Sequence, residues 1–97
     1  MKRLVSLRPR AEADLLEARV WYDEQRPGLG EEFVASVGEA IGSLEKEAER
    51  FPLYYRGFRR LLLRRFPYKL FYRIEGDRVI VFRVLHAKRD HHRHLAD

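Results

Sequence analysis

Residues 67–86, PYKLFYRIEGDRVIVFRVLH, are the stretch that decides the fold of this chain. Apolar and polar side chains alternate on both sides of Glu75-Gly76-Asp77-Arg78, and a period of two is typical of β-strands. Gly76 can supply the positive φ that a tight turn between two strands requires. We therefore predict two antiparallel strands, Pro67–Glu75 and Arg78–His86, joined as a hairpin.

The same alternation predicts which side chains of the hairpin share a face of the sheet. The set assigned to the core comprises Tyr68, Leu70, Tyr72, Ile74, Ile80, Phe82, Val84 and His86. The set assigned to the opposite, open face comprises Lys69, Phe71, Arg73, Glu75, Val81, Arg83 and Leu85. An open face of cations with apolar spacers is suited to binding a partner strand, a partner helix or nucleic acid.

Upstream of the hairpin the sequence has helical periodicity. Pro9 suits the first turn of a helix, and this helix should end near Arg26, before the breaker cluster Pro27-Gly28-Leu29-Gly30. A second helix is predicted from Leu29 to Ala48 or Arg50, with apolar residues at steps of three and four. We expect the two helices to form an antiparallel hairpin.

Two glycines in the second helix, Gly38 and Gly42, are four residues apart. Each costs roughly 1 kcal/mol of helix propensity relative to alanine, so a compensating role is expected. We predict that they allow a close approach to the alanines of the first helix.

The elements combine into one α+β domain covering residues 1–97. A short strand at 3–8 precedes the helices, and a strand at 58–65 precedes the hairpin. The predicted order is an N-terminal strand, an antiparallel helical hairpin and a three-stranded antiparallel meander. The helices should pack on one face of the sheet, because one apolar helix stripe requires one apolar sheet face.

Composition limits the classes of protein that this chain can represent. Its 97 residues are 45% hydrophobic and 36% charged, which suits a folded domain rather than a disordered one. The absence of cysteine excludes disulfides and thiolate sites and fits a cytoplasmic protein. No stretch approaches the roughly 18 apolar residues of a membrane span, and residues 1–10 have no apolar signal region. We expect a cytoplasmic protein that does not contact the membrane.

The charge is distributed unevenly along the chain. Residues 1–50 carry 8 Lys and Arg against 11 Asp and Glu, whereas residues 51–97 carry 12 against 4. The second half therefore has a balance of +8, within a net charge of +5. Such asymmetry favours a cationic surface for an anionic partner, which is either nucleic acid or an acidic protein segment.

Several motifs in this order resemble those of one family. They are Arg8-Pro9-Arg10-Ala11-Glu12-Ala13-Asp14-Leu15, Trp21-Tyr22-Asp23-Glu24-Gln25, Pro27-Gly28-Leu29-Gly30-Glu31-Glu32-Phe33, Arg65-Phe66-Pro67-Tyr68, Tyr72-Arg73-Ile74 and Val84-Leu85-His86-Ala87-Lys88-Arg89-Asp90. Over nearly the whole chain they resemble the ParE/RelE superfamily of toxins, also called plasmid-stabilisation proteins. The resemblance implies the toxin of a type II toxin–antitoxin system, which arrests growth, works in the cytoplasm and is neutralised in a hetero-oligomeric complex by a cognate antitoxin.

The superfamily has two branches with different targets. ParE-like members inhibit DNA gyrase, and RelE-like members cut messenger RNA on the ribosome. The stretch from Trp21 to Gly30 resembles the ParE-like branch more closely, so DNA gyrase is the favoured target. A ribosome-dependent nuclease is the alternative, and a non-toxic basic binding module is a third possibility. Whether the chain is an enzyme therefore stays open.

If the chain is a nuclease, the resemblance implies specific residues. Lys69 stands at the position of one arginine of the nuclease branch, and Arg89 matches another. Leu95 stands where that branch has a tyrosine, which removes a group for proton transfer. His86 could serve as a substitute base, and otherwise it is a strand-end histidine with local hydrogen bonds. The nuclease candidates are Lys69, Arg83, His86 and Arg89.

A second set of residues is expected to bind the antitoxin or the target. These residues are basic or lie between basic residues: Arg60, Arg65, Lys69, Phe71, Arg73, Arg83 and Arg89. We expect no cofactor and no metal. His91, His92 and His94, with Asp90, lie in a terminal tail for which the sequence predicts no fixed geometry.

Overall fold

The computed structural model describes residues 2–89 and 91–95. The elements are β1 (Leu4–Leu7), α1 (Pro9–Gln25), α2 (Leu29–Glu47), a 3-10 turn (Ala48–Arg50), β2 (Leu53–Tyr55), β3 (Phe58–Leu62), β4 (Tyr68–Glu75), β5 (Arg78–His86) and α3 (His91–Leu95). The strands form one sheet in the order β1-β5-β4-β3-β2, in which β1 runs parallel to β5 and the neighbours β2 to β5 are antiparallel. The predicted α+β fold, with its helical hairpin and its β3–β5 meander, is confirmed.

Local sequence explains where the two long helices begin. Arg8 is extended, with φ −68° and ψ 156°, and Pro9 follows it as the first helical residue of α1. Gly28 takes the left-handed conformation, with φ 89°, and so turns the chain into α2. The Asp23 carboxylate then accepts a hydrogen bond of 2.8 Å from the Gly30 amide. The two helices are thereby joined by a short, well-defined connection.

The close approach between α1 and α2 occurs at Gly30. A Cβ atom there would lie 2.5 Å from the Arg19 carbonyl oxygen and 2.8 Å from the Asp23 carboxylate. The prediction of a close approach at Gly38 and Gly42 is wrong, since a Cβ at either position would have no neighbour within 4 Å. The tight contact between the helices is therefore at Gly30, and Gly38 and Gly42 face away from α1.

The main core lies between the helices and one face of the sheet. From α2 it includes Phe33 and Leu44, and from β4 it includes Leu70 and Tyr72, all at 0% exposure. The Tyr72 hydroxyl donates a hydrogen bond of 2.6 Å to the Ala48 carbonyl, and burial raises the pKa of Tyr72 to about 12. This phenol anchors the 3-10 turn after α2 to the middle of the sheet.

A β-bulge in β5 changes the predicted division between the faces. Phe71 pairs with Arg83 and Tyr72 pairs with Val81, so Phe82 is an extra residue in β5. After the bulge, from residue 83 to residue 86, the predicted alternation holds, and Val84 lies in the main core. Before the bulge the prediction is wrong, because Val81 lies in the main core whereas Phe82 packs on the other face.

Two elements were not predicted. The strand β2 pairs with β3 through a turn in which Arg56 has φ 47° and Gly57 has φ 80°. The helix α3 follows β5 and buries His91 and Leu95. The strand β2 is an edge strand of the sheet, whereas α3 packs on the sheet face opposite the helical hairpin. Over the described ranges, no helix has the length and hydropathy needed to cross a membrane.

Candidate functional site

The sheet face opposite α1 and α2, which we call the α3 face, carries a second and smaller core. Phe58, Phe71, Leu85 and Leu95 are each at most 4% exposed and form this cluster. The prediction that Phe71 and Leu85 are exposed spacers on an open face is therefore wrong. The reason is α3, whose Leu95 covers a strip of the sheet that strand alternation alone would leave open to solvent.

The histidines of α3 attach it to the sheet. The His91 imidazole lies 4.7 Å from the Phe71 ring, centroid to centroid, and its Nε2 is 3.0 Å from the His86 carbonyl oxygen. The His92 ring stacks on Tyr55 at 4.3 Å. The expectation of a tail without fixed geometry is wrong for residues 91–95, because these contacts hold them in a helix.

The side chains of His91, His92 and His94 have different neighbours. His91 faces Phe71 and His92 faces Tyr55, whereas His94 Nδ1 is 3.4 Å from Arg83 Nη1. Across residues 2–89 and 91–95, no group of three or more His, Cys, Asp or Glu is placed to hold a metal ion. Asp90, which the sequence analysis grouped with the histidines, lies outside the described residues.

Three cationic or titratable groups near the start of α3 influence one another electrostatically. They are Arg60 on β3, Lys69 on β4 and His91. Burial lowers the pKa of Lys69, and the nearby Arg60 charge lowers it further. Burial also lowers the pKa of His91, and the charges of Lys69 and Arg60 add to that shift although the hydrogen bond with His86 opposes it. In both groups, burial and neighbouring positive charge make the protonated form less stable than it is in water.

Arg83 differs most from its predicted environment. It is 8% exposed, and its Nε and Nη2 atoms donate hydrogen bonds of 2.7 and 2.9 Å to the two carboxylate oxygens of Asp14. The same carboxylate accepts a bond of 3.0 Å from the Val84 amide. The hydrogen bond with Asp14 raises the pKa of Arg83. Arg83 is opposite Phe71 on the α3 face, as the alternation predicts, but the prediction that it is exposed there is wrong, because Asp14 of α1 pairs with it and it is buried.

The other residues that were predicted to bind a partner or to act in a nuclease lie in three places. The Arg73 guanidinium is 4.0 Å from the Phe58 ring centroid, on the α3 face. Arg65 forms an ion pair of 2.7 Å with Glu32 at the start of α2. The His86 ring lies 5.3 Å from the Tyr68 ring on the helix side, and the Arg89 charge also acts on the Tyr68 phenol. The predicted binding residues thus form separate groups.

A groove of about 410 Å³ adjoins His86 on the helix side. Trp21, which is 52% exposed, and Tyr68 supply aromatic surface there. His86 Nδ1 accepts a hydrogen bond of 3.1 Å from the Lys88 amide, so the local bonding expected of a strand-end histidine is present. His86 and Lys69 leave the sheet on opposite faces, and the four nuclease candidates do not form one cluster.

Aromatic rings on the α3 face are covered by the chain's own cations. The Arg60 guanidinium carbon lies 4.1 Å from the Tyr54 centroid, and Arg56 lies 5.3 Å from the Tyr55 centroid. The sequence analysis did not single out Tyr54 and Tyr55 because it missed β2. The turn residues Arg56-Gly57 between two short apolar runs were the signal that could have revealed that hairpin.

Chemically, the α3 face has some but not all components of an RNA-cleaving site. Arg60 can stabilise a charged phosphorane, and Lys69 and His91, whose pKa values are both lowered, are the groups there that exchange protons. Leu95, which the resemblance predicts to stand at the tyrosine position of the nuclease branch, is 4% exposed inside the small core. Its side chain has no group that can transfer a proton.

Comparisons with known proteins agree with this architecture. The family model of the ParE toxin of the type II toxin–antitoxin system parDE matches residues 5–91. A chain of the chromosomal ParDE toxin–antitoxin system from P. aeruginosa is similar, with a TM-score of 0.80 at 22% identity over 90% of this chain and 98% of that chain. A chain of the toxin–antitoxin complex RelBE2 from Mycobacterium tuberculosis has a TM-score of 0.61 at 28% identity, over 89% and 99% of the two chains. No curated protein sequence is significantly similar.

Proposed function

This chain belongs to the ParE toxin family of type II toxin–antitoxin systems, and from that premise we propose that it arrests growth by inhibiting DNA gyrase. We further propose that it acts in the cytoplasm and is neutralised by a cognate antitoxin protein. The match to the ParE toxin model over residues 5–91 is the observation that carries the proposal. It spans both long helices and all five strands, except for the first residue of β1.

The burial of Leu95 supports a binding mechanism rather than a catalytic one. An inhibitor of a larger enzyme needs a complementary surface, whereas a nuclease needs groups that transfer protons at the scissile phosphate. Here a leucine packs against Phe58, Phe71 and Leu85 at the position of the nuclease tyrosine. General acid–base groups typically contribute about 10²–10⁴-fold in rate, so a chain without one should be a slow nuclease.

Ribosome-dependent cleavage of messenger RNA is the second candidate, and one observation favours it. Lys69 and His91 both have lowered pKa values beside Arg60. A base with a lowered pKa next to a guanidinium is a combination that cleavage through the 2′-OH can use. In this case the proton acceptor would be Lys69 or His91, on the α3 face, rather than His86.

The deciding experiment is a brief induction of the chain in growing cells, followed by two parallel assays. One assay recovers covalent gyrase–DNA complexes, and the other maps 5′ ends of ribosome-bound transcripts. We expect growth arrest with gyrase–DNA complexes and intact transcripts. We also expect the His86→Ala and Lys69→Met variants, if folded, to keep the production of these complexes within about threefold, because no proton transfer is required. Co-expression of the antitoxin should restore growth.

The other outcomes decide against the proposal. Codon-positioned cuts in messenger RNA without gyrase complexes, lost in folded Lys69→Met, would place the chain in the nuclease branch. Cells that continue to grow while producing folded protein would indicate a non-toxic basic binding module. Circular dichroism of each purified variant shows whether a loss of toxicity reflects unfolding.

A further inference from the structure

A groove of about 240 Å³ lies on the α3 face between the C-terminal end of α3 and the start of α1. Phe58, Phe82 and Leu95 contribute its apolar surface, and Arg8 and Arg10 contribute its rim. No carboxylate lines this groove among the residues that the structure describes. The groove therefore combines an apolar floor with unbalanced positive charge.

The guanidinium groups around the groove are held in place by the rings beneath them. The Arg8 guanidinium carbon lies 5.1 Å from the Phe82 centroid. Arg73 lies 4.0 Å from the Phe58 centroid and 5.4 Å from the Phe82 centroid. The two rings meet edge to face at 5.2 Å. Stacking of this kind orients a guanidinium and leaves its N–H edges free for a ligand.

The nearby carboxylate does not neutralise these cations. Asp14 is already committed to Arg83 through two hydrogen bonds and to the Val84 amide through a third. Within residues 2–89 and 91–95, the side chains of Arg8 and Arg10 form no ion pair. Arg73 donates one hydrogen bond of 2.9 Å to the Arg56 carbonyl, which leaves its charge uncompensated. The positive charge of these arginines is therefore available to an anion.

The anion that fits is a carboxylate on a protein segment. A guanidinium fork matches a planar carboxylate in bidentate geometry, and the apolar floor suits a neighbouring aliphatic side chain. Single-stranded nucleic acid, in contrast, binds through aromatic rings whose faces are free to stack with bases. Here guanidinium groups cover the rings of Phe58 and Phe82, so stacking platforms are lacking. A groove of this volume also accommodates one or two side chains rather than a polynucleotide track.

We propose that this groove binds an acidic and apolar segment of a partner protein. An Asp or Glu of that segment pairs with Arg8 and Arg10, and an adjacent aliphatic side chain packs on Phe82 and Leu95. The proposal goes beyond the proposed function because it depends neither on gyrase inhibition nor on nuclease activity. It assigns a role to Arg8 and Arg10, which the sequence analysis did not include among the binding residues.

The test uses the purified full chain and a fluorescein-labelled peptide, acetyl-Glu-Leu-Glu-Leu-Glu-amide, in an anisotropy titration. Arg10→Glu should weaken binding about 10-fold or more, since a charge-assisted bond is replaced by repulsion. Arg19→Glu is the matched control, because Arg19 is an exposed arginine on the same helix outside the groove. It changes the net charge equally and should weaken binding less than about twofold. A peptide with Gln in place of Glu should bind at least about 10-fold more weakly.

Three results would overturn the proposal. The first is equal weakening by Arg10→Glu and Arg19→Glu, which would indicate attraction to net charge alone. The second is tighter binding of a single-stranded oligonucleotide of equal charge, lost in Arg10→Glu, which would make the groove a nucleic-acid site. The third is no peptide binding by the unmodified folded chain. None of these results depends on toxicity, so failure here and failure of the gyrase assay are distinguishable.

Discussion

The two faces of the sheet are stabilised in different ways. On the helix side, 16 of the described residues form a continuous buried cluster that α1, α2 and three strands share. On the α3 face, four buried residues form the cluster, and cations or histidines cover the rings around it. The helix side holds the fold together, whereas the α3 face keeps uncompensated charge at the surface. Binding to another molecule is therefore expected on the α3 face.

The two faces should also differ in how cooperatively they unfold. The α2 side chains reach β4 through the centre of the protein, so losing one of them affects both long helices and the sheet. The helix α3 has five residues, and Leu95 is the only apolar side chain among them. A short terminal element of this kind can open locally without unfolding the rest. Three measurements test this difference between the helix side and the α3 face.

The first measurement compares a truncation on each face. Phe33→Ala removes a ring that contacts Tyr22, Phe66 and Tyr68 at centroid distances of 5.3, 5.3 and 5.1 Å. We expect a loss of about 3–5 kcal/mol in the free energy of unfolding. Leu95→Ala should cost less than about 2 kcal/mol, because α3 can separate while the main core stays intact. Urea denaturation followed by circular dichroism gives both values. Equal losses would show that α3 belongs to the same cooperative unit.

The second measurement concerns the packing of the helical hairpin. Gly30→Ala places a methyl group against the Arg19 carbonyl and should cost about 1–3 kcal/mol. Gly42→Ala meets no atom within 4 Å and should stabilise the chain by about 0.5–1 kcal/mol through helix propensity. The same denaturation assay applies to both variants. If Gly42→Ala destabilises the chain, the two helices approach each other closely along their whole length, and not only at Gly30.

The third and smallest effect is a pH dependence confined to the α3 face. Burial lowers the pKa of His91 below its ordinary value of 6.5, so between the two values the imidazole binds more protons when α3 is detached. Attachment of α3 is therefore favoured above pH 6.5 and weakens as the pH falls through the lowered pKa. We expect the NMR methyl resonances of Leu95, but not those of Leu44, to move toward unstructured values at acid pH. His91→Gln should flatten this profile, and an unchanged profile in that variant would assign the titration to another group.

Much of the fold follows from local signals along the chain. Pro9, the breaker cluster at 27–30 and the turn at Gly76 each act within a few residues, so sequence alone was enough to place α1, α2 and the β4–β5 hairpin. The strand β2 is a more instructive case. The Arg56-Gly57 turn indicates a hairpin, but β2 itself has only three residues. Three residues are too few to show an alternation of apolar and polar side chains.

The candidate site depended more on tertiary structure. Sequence analysis correctly identified the second half of the chain as basic and singled out Arg60, Lys69 and Arg73, which lie on the α3 face. It took Phe71 and Arg83 to be exposed although both are buried, because neither the cover provided by α3 nor a carboxylate from a distant helix leaves a periodic signal. It also did not anticipate the pairing of Asp14 with Arg83, which joins residues 69 positions apart in the chain.

The helices, the main strands, the charge asymmetry and the family can all be read from residue order, composition or local spacing. Only the tertiary structure decided which arginines are neutralised and which remain available to a partner. The physical reason is that the environment of a charge depends on every group within several ångströms, whatever its place in the chain. Arg83 and Arg8 have the same chemistry, but Asp14 compensates the charge of Arg83, whereas the Phe82 ring holds Arg8 at the rim of an acid-free groove.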